Sequence, residues 1–201
     1  MSTAGRAPIR PTVHDLASTY VDDAYYDLLR RDITEWGSPG LPPRGDLGHD
    51  IAAVLLDEAW WIDEQNFEAW LDLYTDDCLY WVPVGPGLPD PQHHVTIACD
   101  DRRRLRDRVA WLRTDLAYAQ IPPSRTAHQI TGSVVVPTAE PGEIKVRSSF
   151  VVHEQRTGTT RSLGGWCGHV LTHVDGELQI RRKVVSLVDS ECTQQNLTFL
   201  L

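Results

Sequence analysis

Apolar residues recur at helical spacing through the first half of the chain. The first repeat predicts a helix from about Thr12 to Arg31. Its apolar positions are Leu16, Tyr20, Ala24 and Leu28. The glycine- and proline-rich stretch 35–48 is typical of a loop. A second helix is predicted to begin near His49 or Asp50. Its apolar stripe comprises Ile51, Val54, Leu55, Ala59 and Ile62.

Two further helices and two strands are predicted between residues 67 and 121. A short helix places four apolar residues on one face, namely Phe67, Trp70, Leu71 and Tyr74. The segments 78–84 and 95–99 are predicted strands, since both are rich in β-branched or aromatic residues. A long helix follows, with apolar positions at alternating spacings of four and three, and Pro122 and Pro123 end it. Those positions are Leu105, Val109, Leu112, Leu116 and Ala119.

The second half of the chain is predicted to consist of consecutive strands. They cover residues 126–136, 143–156, 164–174 and 177–189. The dipeptide Asp175-Gly176 predicts a tight hairpin between the last two strands. Helices followed by a strand meander are typical of an α+β protein. We expect a curved antiparallel sheet with the helices packed on one face.

Composition and charge restrict the class of protein. The chain has 201 residues, 41% of them hydrophobic and 23% charged, as expected for one globular domain. A net charge of −9 argues against nucleic acid as a partner, because phosphate binding needs a basic surface. No apolar run approaches the roughly 18 residues of a membrane span, and residues 1–16 lack the apolar stretch of a signal peptide. We therefore expect a cytoplasmic protein with no membrane contact.

The histidines and cysteines give no complete metal motif. Cys78, Cys99, Cys167 and Cys192 are far apart, and we expect buried or neutral thiols. His93 and His94 are adjacent, so on a strand they would point to opposite faces. His169 and His173 would lie about 13 Å apart along a strand, too far to share an ion.

Other short motifs are equally incomplete. Cys167-Gly168-His169 matches half of a Rieske cluster motif, but the second cysteine–histidine pair is missing. There is no nucleophile elbow, phosphate-binding loop or dinucleotide fingerprint. The acidic pairs 76–77 and 100–101 stand where predicted helices and strands meet, which favours capping and turn formation.

Tryptophan is unusually frequent, and four of the seven tryptophans fall between residues 60 and 81. Strand alternation predicts that Leu79 and Trp81 share one face of the strand 78–84, with Tyr80 and Val82 on the other. One pair should pack under the helices, and the other should help to form the contact face of the sheet. The cluster is then mostly core and partly interface, rather than a reaction centre.

Three segments resemble the beta, or small, subunit of aromatic-ring-hydroxylating dioxygenases. They are "EQNFEAWLDLYTDDCLYWVPV" (64–84), "DDRRRLRDRVAWLRTDLAYAQIPPSRTAHQITG" (100–132) and "RRKVVSLVDSECTQQNLTFLL" (181–201). The middle segment is the most specific, and the resemblance covers about residues 49–201. Tyr118 and Gln120 depart from the family, which often has tryptophan and an acid there.

The resemblance implies a fold, partners and cofactors. It implies the cone-shaped α+β fold of nuclear transport factor 2 (the NTF2-like, or cystatin-like, fold) in residues 49–201, preceded by an N-terminal arm and helix in residues 1–48. It implies a trimer of this chain joined to a larger alpha subunit, typically as three alpha and three beta chains. The alpha subunit carries a Rieske 2Fe-2S cluster and a mononuclear Fe(II), whereas the beta subunit usually holds neither metal nor catalytic residues. Such an enzyme adds both atoms of O2 to an aromatic ring, giving a cis-dihydrodiol, with electrons from NAD(P)H.

Two functional hypotheses follow. As a structural beta subunit, the chain would use arginine and tryptophan for buried or interface contacts, because both make large, well-oriented contacts. The candidates are Trp81, Arg102, Arg108, Trp111 and Arg125. The alternative is a stand-alone isomerase or dehydratase of the same fold, with proton transfer by acid, tyrosine and histidine side chains. Its candidates are Asp63, Tyr80, His128 and His169.

Overall fold

A computed structural model describes residues 20–85, 89–114, 116–192 and 197–201. These residues form an α+β fold, as predicted. The helices are α1 (Asp23–Trp36), α2 (Gly45–Asp63), α3 (Phe67–Asp72) and α4 (Arg102–Leu112). The strands are β1 (Tyr74–Pro83), β2 (Thr96–Asp101), β3 (Arg125–Val136), β4 (Glu143–Arg156), β5 (Thr159–Val174) and β6 (Glu177–Leu187).

The six strands form one sheet in the order β2-β1-β6-β5-β4-β3. Strands β3 to β6 are the predicted antiparallel meander, and Asp175 and Gly176 form the hairpin with positive φ angles of 52° and 90°. The expectation of an all-antiparallel sheet is corrected at one place, since β1 pairs with β6 in parallel. Parallel neighbours require a long crossover connection, and the chain between β1 and β6 supplies it.

Both faces of the sheet are covered, although helices were expected on one face only. On the inner face, α2, α3 and α4 bury residues such as Leu55, Trp70 and Leu105 with Tyr80 and Val82. On the outer face, α1 contributes to a second apolar cluster. Its members are Tyr25, Leu29, Trp36, Leu79, Trp81, Val136, Val170 and Val184. The predicted division of the strand 78–84 into two faces is therefore confirmed.

Helix α1 differs from its prediction in both position and buried face. It begins at Asp23, where the Asp22 carboxylate caps it by accepting a hydrogen bond from the Tyr25 amide at 3.0 Å. The predicted part before residue 20 lies outside the described residues. The buried positions are Tyr25, Leu29, Asp32 and Trp36, not the predicted Ala24 and Leu28. A buried aspartate in the stripe concealed the true periodicity.

A network of buried charges attaches α1 to the outer face. The Asp32 carboxylate lies 2.6 Å from Lys145 Nζ and 2.6 Å from Arg182 Nε, and all three side chains are buried. Glu35 also pairs with Lys145, and Glu143 pairs with Arg182 at 2.7 Å. Each buried cation therefore has two carboxylate partners, as burial of charge requires.

Helix α4 ends at Leu112, seven residues before Ala119, the last apolar position of the predicted helix. The Thr114 hydroxyl donates to the Trp111 carbonyl at 2.8 Å and accepts from the Leu116 amide at 3.3 Å. These side-chain bonds replace the helical hydrogen-bond pattern. Leu105 and Val109 are buried as predicted, whereas Leu116 is 64% exposed.

Candidate functional site

A small cavity lies between the inner face of the sheet and α2, with a mostly apolar wall that also contains buried ionisable residues. Its volume is about 10 Å³, which is room for about one water molecule. Helix α2 contributes Glu58, Ala59 and Ile62 to its wall. The remaining lining residues are His128, Ile130, Ser148, Phe150, Cys167, His169, Lys183 and Leu201.

Glu58 is the central charge of this cavity. It is buried on the apolar stripe of α2, and one carboxylate oxygen lies 3.0 Å from Lys183 Nζ. The other lies 2.9 Å from His169 Nε2, and Tyr74 donates its hydroxyl to the same carboxylate. Burial raises the pKa of Glu58, but Lys183 and His169 outweigh it, so the net pKa is lowered. Burial lowers the pKa of His169, which favours a neutral imidazole.

The second pair consists of Asp63, the last residue of α2, and His128 on β3. The Asp63 carboxylate lies 2.6 Å from His128 Nδ1 and accepts the His128 backbone amide at 2.8 Å. The Thr126 hydroxyl donates to it at 2.7 Å. Burial opposes ionisation of Asp63, but these hydrogen bonds hold its pKa below the usual value. An oriented aspartate–histidine pair of this kind is the geometry of a general base.

The four candidates for proton transfer do not form one catalytic group. Asp63 holds His128, whereas His169 is held by Glu58. Tyr80 instead hydrogen-bonds the carbonyl oxygen of Leu201 at 3.1 Å. A cavity of about 10 Å³ is too small for an organic substrate, since ligand pockets measure roughly 300–1,000 Å³.

Sequence reasoning missed Glu58 and Lys183. Glu58 falls four residues after Val54 and four before Ile62, on the same helical stripe. Lys183 shares one face of β6 with Val185 and Leu187, which both belong to the inner apolar cluster. Each of these charged residues lies on an otherwise apolar face of its element. Because buried charges are paired, this pattern could have indicated that the two residues contact each other.

The incomplete metal motifs have other roles. His93 is exposed and contacts the Asp90 carboxylate at 2.7 Å. Cys167 lies in the core, where burial raises the pKa of its thiol to about 12. Within residues 20–85, 89–114, 116–192 and 197–201, no group of three or more His, Cys, Asp or Glu side chains is arranged to hold a metal ion. In the same residues no helix is both long and apolar enough to cross a membrane.

Two of the five predicted structural or interface residues lie inside this chain's own packing. Trp81 is 1% exposed beneath α1. Arg102 donates to the Tyr74 carbonyl at 2.8 Å and also to the Leu71 carbonyl, so it joins the start of α4 to the α3–β1 junction. The capping prediction holds for Asp101, which accepts the Arg104 amide at 2.8 Å. It is wrong for positions 76 and 77, which lie within β1.

The other three predicted residues are more accessible. Arg108 pairs with Asp100 through two hydrogen bonds. Arg125 donates twice to the Gln155 side chain, at 3.0 and 2.7 Å, across the β3–β4 pair. Trp111 is 38% exposed on α4. Their roles in an interface stay predictions.

The fold and the cavity place the chain in the class of α+β proteins that have a curved mixed sheet with helices on both faces. Its interior is filled by its own side chains. The family model described as the ring hydroxylating beta subunit matches residues 57–194. The chain belongs to this family, as the sequence resemblance indicated.

Individual relatives agree with this membership. The small oxygenase component of the p-cumate 2,3-dioxygenase system of Pseudomonas putida is 32% identical over 136 residues, covering 67% of this chain and 75% of the relative. The beta subunit of biphenyl 2,3-dioxygenase from Rhodococcus jostii (strain RHA1) is 25% identical, covering 79% and 90%. The solved beta subunit of benzoate 1,2-dioxygenase from Burkholderia mallei superimposes with a TM-score of 0.63 at 24% identity, covering 79% and 99%, and supports the fold.

Proposed function

We propose that this chain is a non-catalytic structural beta subunit of a multicomponent aromatic-ring-hydroxylating dioxygenase. The family match over residues 57–194 carries the proposal. The filled interior supports it, because about 10 Å³ beneath α2 leaves no room for an aromatic substrate.

The proposal assigns the chemistry to a larger alpha subunit. That partner would hold the Rieske 2Fe-2S cluster and the mononuclear Fe(II), and would cis-dihydroxylate the aromatic ring with O2 and electrons from NAD(P)H. In this chain, the cysteine and the histidine of the half Rieske motif have other roles. Cys167 is a buried thiol with a raised pKa, and His169 is held by Glu58. Neither is presented as a ligand.

The assembly we propose contains three alpha and three beta chains in the cytoplasm. Residues 49–201 would form the NTF2-like domain, and residues 1–48 an N-terminal arm and helix. The burial of Leu29 and Trp36 of α1 against the outer face of the sheet supports a fixed position for the described part of that region.

Native mass spectrometry of the tagged chain, purified gently from its own host, tests the proposal. We expect a complex with equal numbers of this chain and of a larger iron-bearing chain. A homo-oligomer without a partner would contradict the proposal, as would stoichiometric iron bound by this chain alone.

The oriented pair of Asp63 and His128 favours one second candidate, a stand-alone enzyme that transfers protons. In that case His128→Ala would abolish an activity whose pH dependence follows a histidine pKa. The small cavity volume argues against this candidate, because a substrate would first have to displace part of the chain.

A further inference from the structure

The segment Leu197–Leu201 lies inside the domain like a bound peptide. It contains no helix or strand, yet Phe199, Leu200 and Leu201 are 7%, 1% and 4% exposed. All three belong to the inner apolar cluster. The segment therefore fills interior space that the helices and the sheet leave open.

The polar contacts of Leu201 define what this space accepts. Its carbonyl oxygen accepts hydrogen bonds from Lys183 Nζ at 2.7 Å and from the Tyr80 hydroxyl at 3.1 Å. Its amide also lies 3.1 Å from the Tyr80 hydroxyl. Lys183 and Tyr80 are both buried, so these donors need an acceptor oxygen at this position.

Three further polar atoms on the cavity wall have no hydrogen-bond partner among the described residues. They are His128 Nε2, Ser148 Oγ and His169 Nδ1, and each is buried. Because Asp63 faces His128 Nδ1 and Glu58 faces His169 Nε2, we assign the protons to those nitrogens. The two remaining nitrogens then present lone pairs to the cavity. Buried polar atoms without partners point to a missing ligand or water, and the two lone pairs require that it donate hydrogen bonds.

The segment separates two cavities that would otherwise be joined. The cavity of about 10 Å³ is bordered by Leu201, and a second of about 40 Å³ is bordered by Phe199 and Leu200. Ile62 of α2 lines both. Release of the segment would add the space of three large apolar side chains and give one chamber.

We propose that this chamber is a binding site for a small apolar molecule with one carboxamide group, whose oxygen accepts hydrogen bonds and whose N–H groups donate them, and that Leu197–Leu201 competes for it. The amide oxygen of the ligand replaces the Leu201 carbonyl at Lys183 and Tyr80, and its N–H groups donate to the imidazole lone pairs. Its apolar part replaces Phe199 and Leu200. The inference does not depend on the proposed function.

The test uses three fluorinated probes and the full-length chain. The probe 4-fluorobenzamide carries a ring, an acceptor oxygen and N–H donors, whereas 4-fluorobenzoate lacks the donors and fluorobenzene lacks both. Binding is measured by fluorine NMR to the wild type, to Phe199→Ala/Leu200→Ala, and to the surface control Val188→Ala, whose side chain is 83% exposed. We expect the double variant to bind 4-fluorobenzamide at least about tenfold more tightly than the wild type. Fluorobenzene and 4-fluorobenzoate should each bind the double variant about tenfold more weakly than 4-fluorobenzamide does.

A second measurement does not depend on a folded variant. In the wild type, saturating 4-fluorobenzamide should accelerate hydrogen exchange of the Leu200 and Leu201 amides and leave those of β5 unchanged. The proposal is overturned by equal affinity of the folded double variant and the wild type, by equal affinity for fluorobenzene and 4-fluorobenzamide, or by probe binding without any change at the two amides.

Discussion

At the scale of single residues, Glu58 determines the charge of the interior. Its carboxylate contacts Lys183, His169 and Tyr74 within the inner core. The lowered pKa of Glu58 favours a carboxylate, and that of His169 favours a neutral ring. Burial lowers the pKa of Lys183, but attraction to Glu58, Cys167 and Tyr80 raises it overall. Glu58 and Lys183 therefore form a neutral ion pair, which limits the cost of burial.

The burial of neutral His169 predicts a dependence of stability on pH. In the unfolded chain its pKa is about 6.5, so the unfolded state binds the proton first as the pH falls. The stability due to neutral His169 is complete above about pH 6.5 and is lost as the pH falls towards the lower folded-state pKa. His169→Gln should remove up to about 1.4 kcal/mol per pH unit from this slope below pH 6.5. Urea unfolding of both proteins between pH 7.5 and 5 measures this slope of the free energy of unfolding.

The exposed His173 on the same strand provides the matched control. His173→Gln should keep the wild-type dependence on pH. If His169→Gln shows the same slope as the wild type, then the neutral histidine does not contribute as described.

The candidate residues show how far the sequence determines a site. The hypothesis that Asp63 and His128 act together came from their residue types. In the structure, the Asp63 carboxylate lies 2.6 Å from His128 Nδ1. The partners of His169 and Tyr80 were not predictable, because Glu58 and the carbonyl of Leu201 reach them only through tertiary packing. Residue type gave the chemistry, whereas the pairing depends on the register of α2 against the sheet.

At the scale of elements, α1 shows why helix prediction succeeded in kind but not in position. Its inward face contains Asp32, so the true stripe of Tyr25, Leu29 and Trp36 looked interrupted. By contrast, the bounds of β4 agree with the prediction at 143–156, because Val146, Phe150 and Val152 alternate along its inner face. Lys145, a buried charge of this strand, lies on the opposite face and leaves that alternation intact. Local pattern is sufficient where burial is apolar and insufficient where a buried charge has a distant partner.

Asp32→Ala should loosen α1. The change leaves Lys145 and Arg182 buried with one carboxylate fewer each, which costs about 3–5 kcal/mol. Chemical denaturation followed by tryptophan fluorescence measures the loss. The control Asp27→Ala removes an exposed carboxylate of the same helix and should cost less than about 1 kcal/mol. Equal losses in both variants would contradict a role for the buried network.

Gly168 of β5 makes room for the Trp36 ring of α1. A Cβ atom at this position would lie 2.4 Å from the ring, so Gly168→Ala should destabilise the fold by about 1–3 kcal/mol. Gly164→Ala on the same strand is the control, since its nearest contact would be an ordinary 3.6 Å. Thermal unfolding of the two variants compares them. A stable Gly168→Ala protein would show that α1 shifts freely on the sheet.

At the scale of the whole molecule, α2 presents an apolar surface outwards as well as inwards. Leu56 and Trp60 are one helical turn apart, and they are 62% and 59% exposed. Large exposed apolar side chains next to each other mark interaction surfaces. In the proposed assembly, these two side chains would contact another subunit.

Trp60→Ser should weaken the assembly without unfolding the chain. Loss of a central interface tryptophan typically costs at least about 2 kcal/mol of binding, or more than tenfold in affinity. Native mass spectrometry at decreasing concentration should show earlier dissociation of the complex. Val188→Ser, at another exposed apolar position, is the control. An intact complex at all concentrations would place the interface elsewhere.

The parallel pairing of β1 with β6 also has a consequence for synthesis on the ribosome. Trp81 of β1 lies beside Val184 of β6, so one edge of β1 has no partner until about a hundred more residues have been translated. Until then, the nascent chain exposes Leu79, Trp81 and other future core residues, which makes it a substrate for chaperones. In the meander β3–β6, each strand pairs with the next strand in the sequence. Its last strand, β6, is the one that pairs with β1. Slower translation before β6 should therefore lower the yield of folded protein more than the same delay after it.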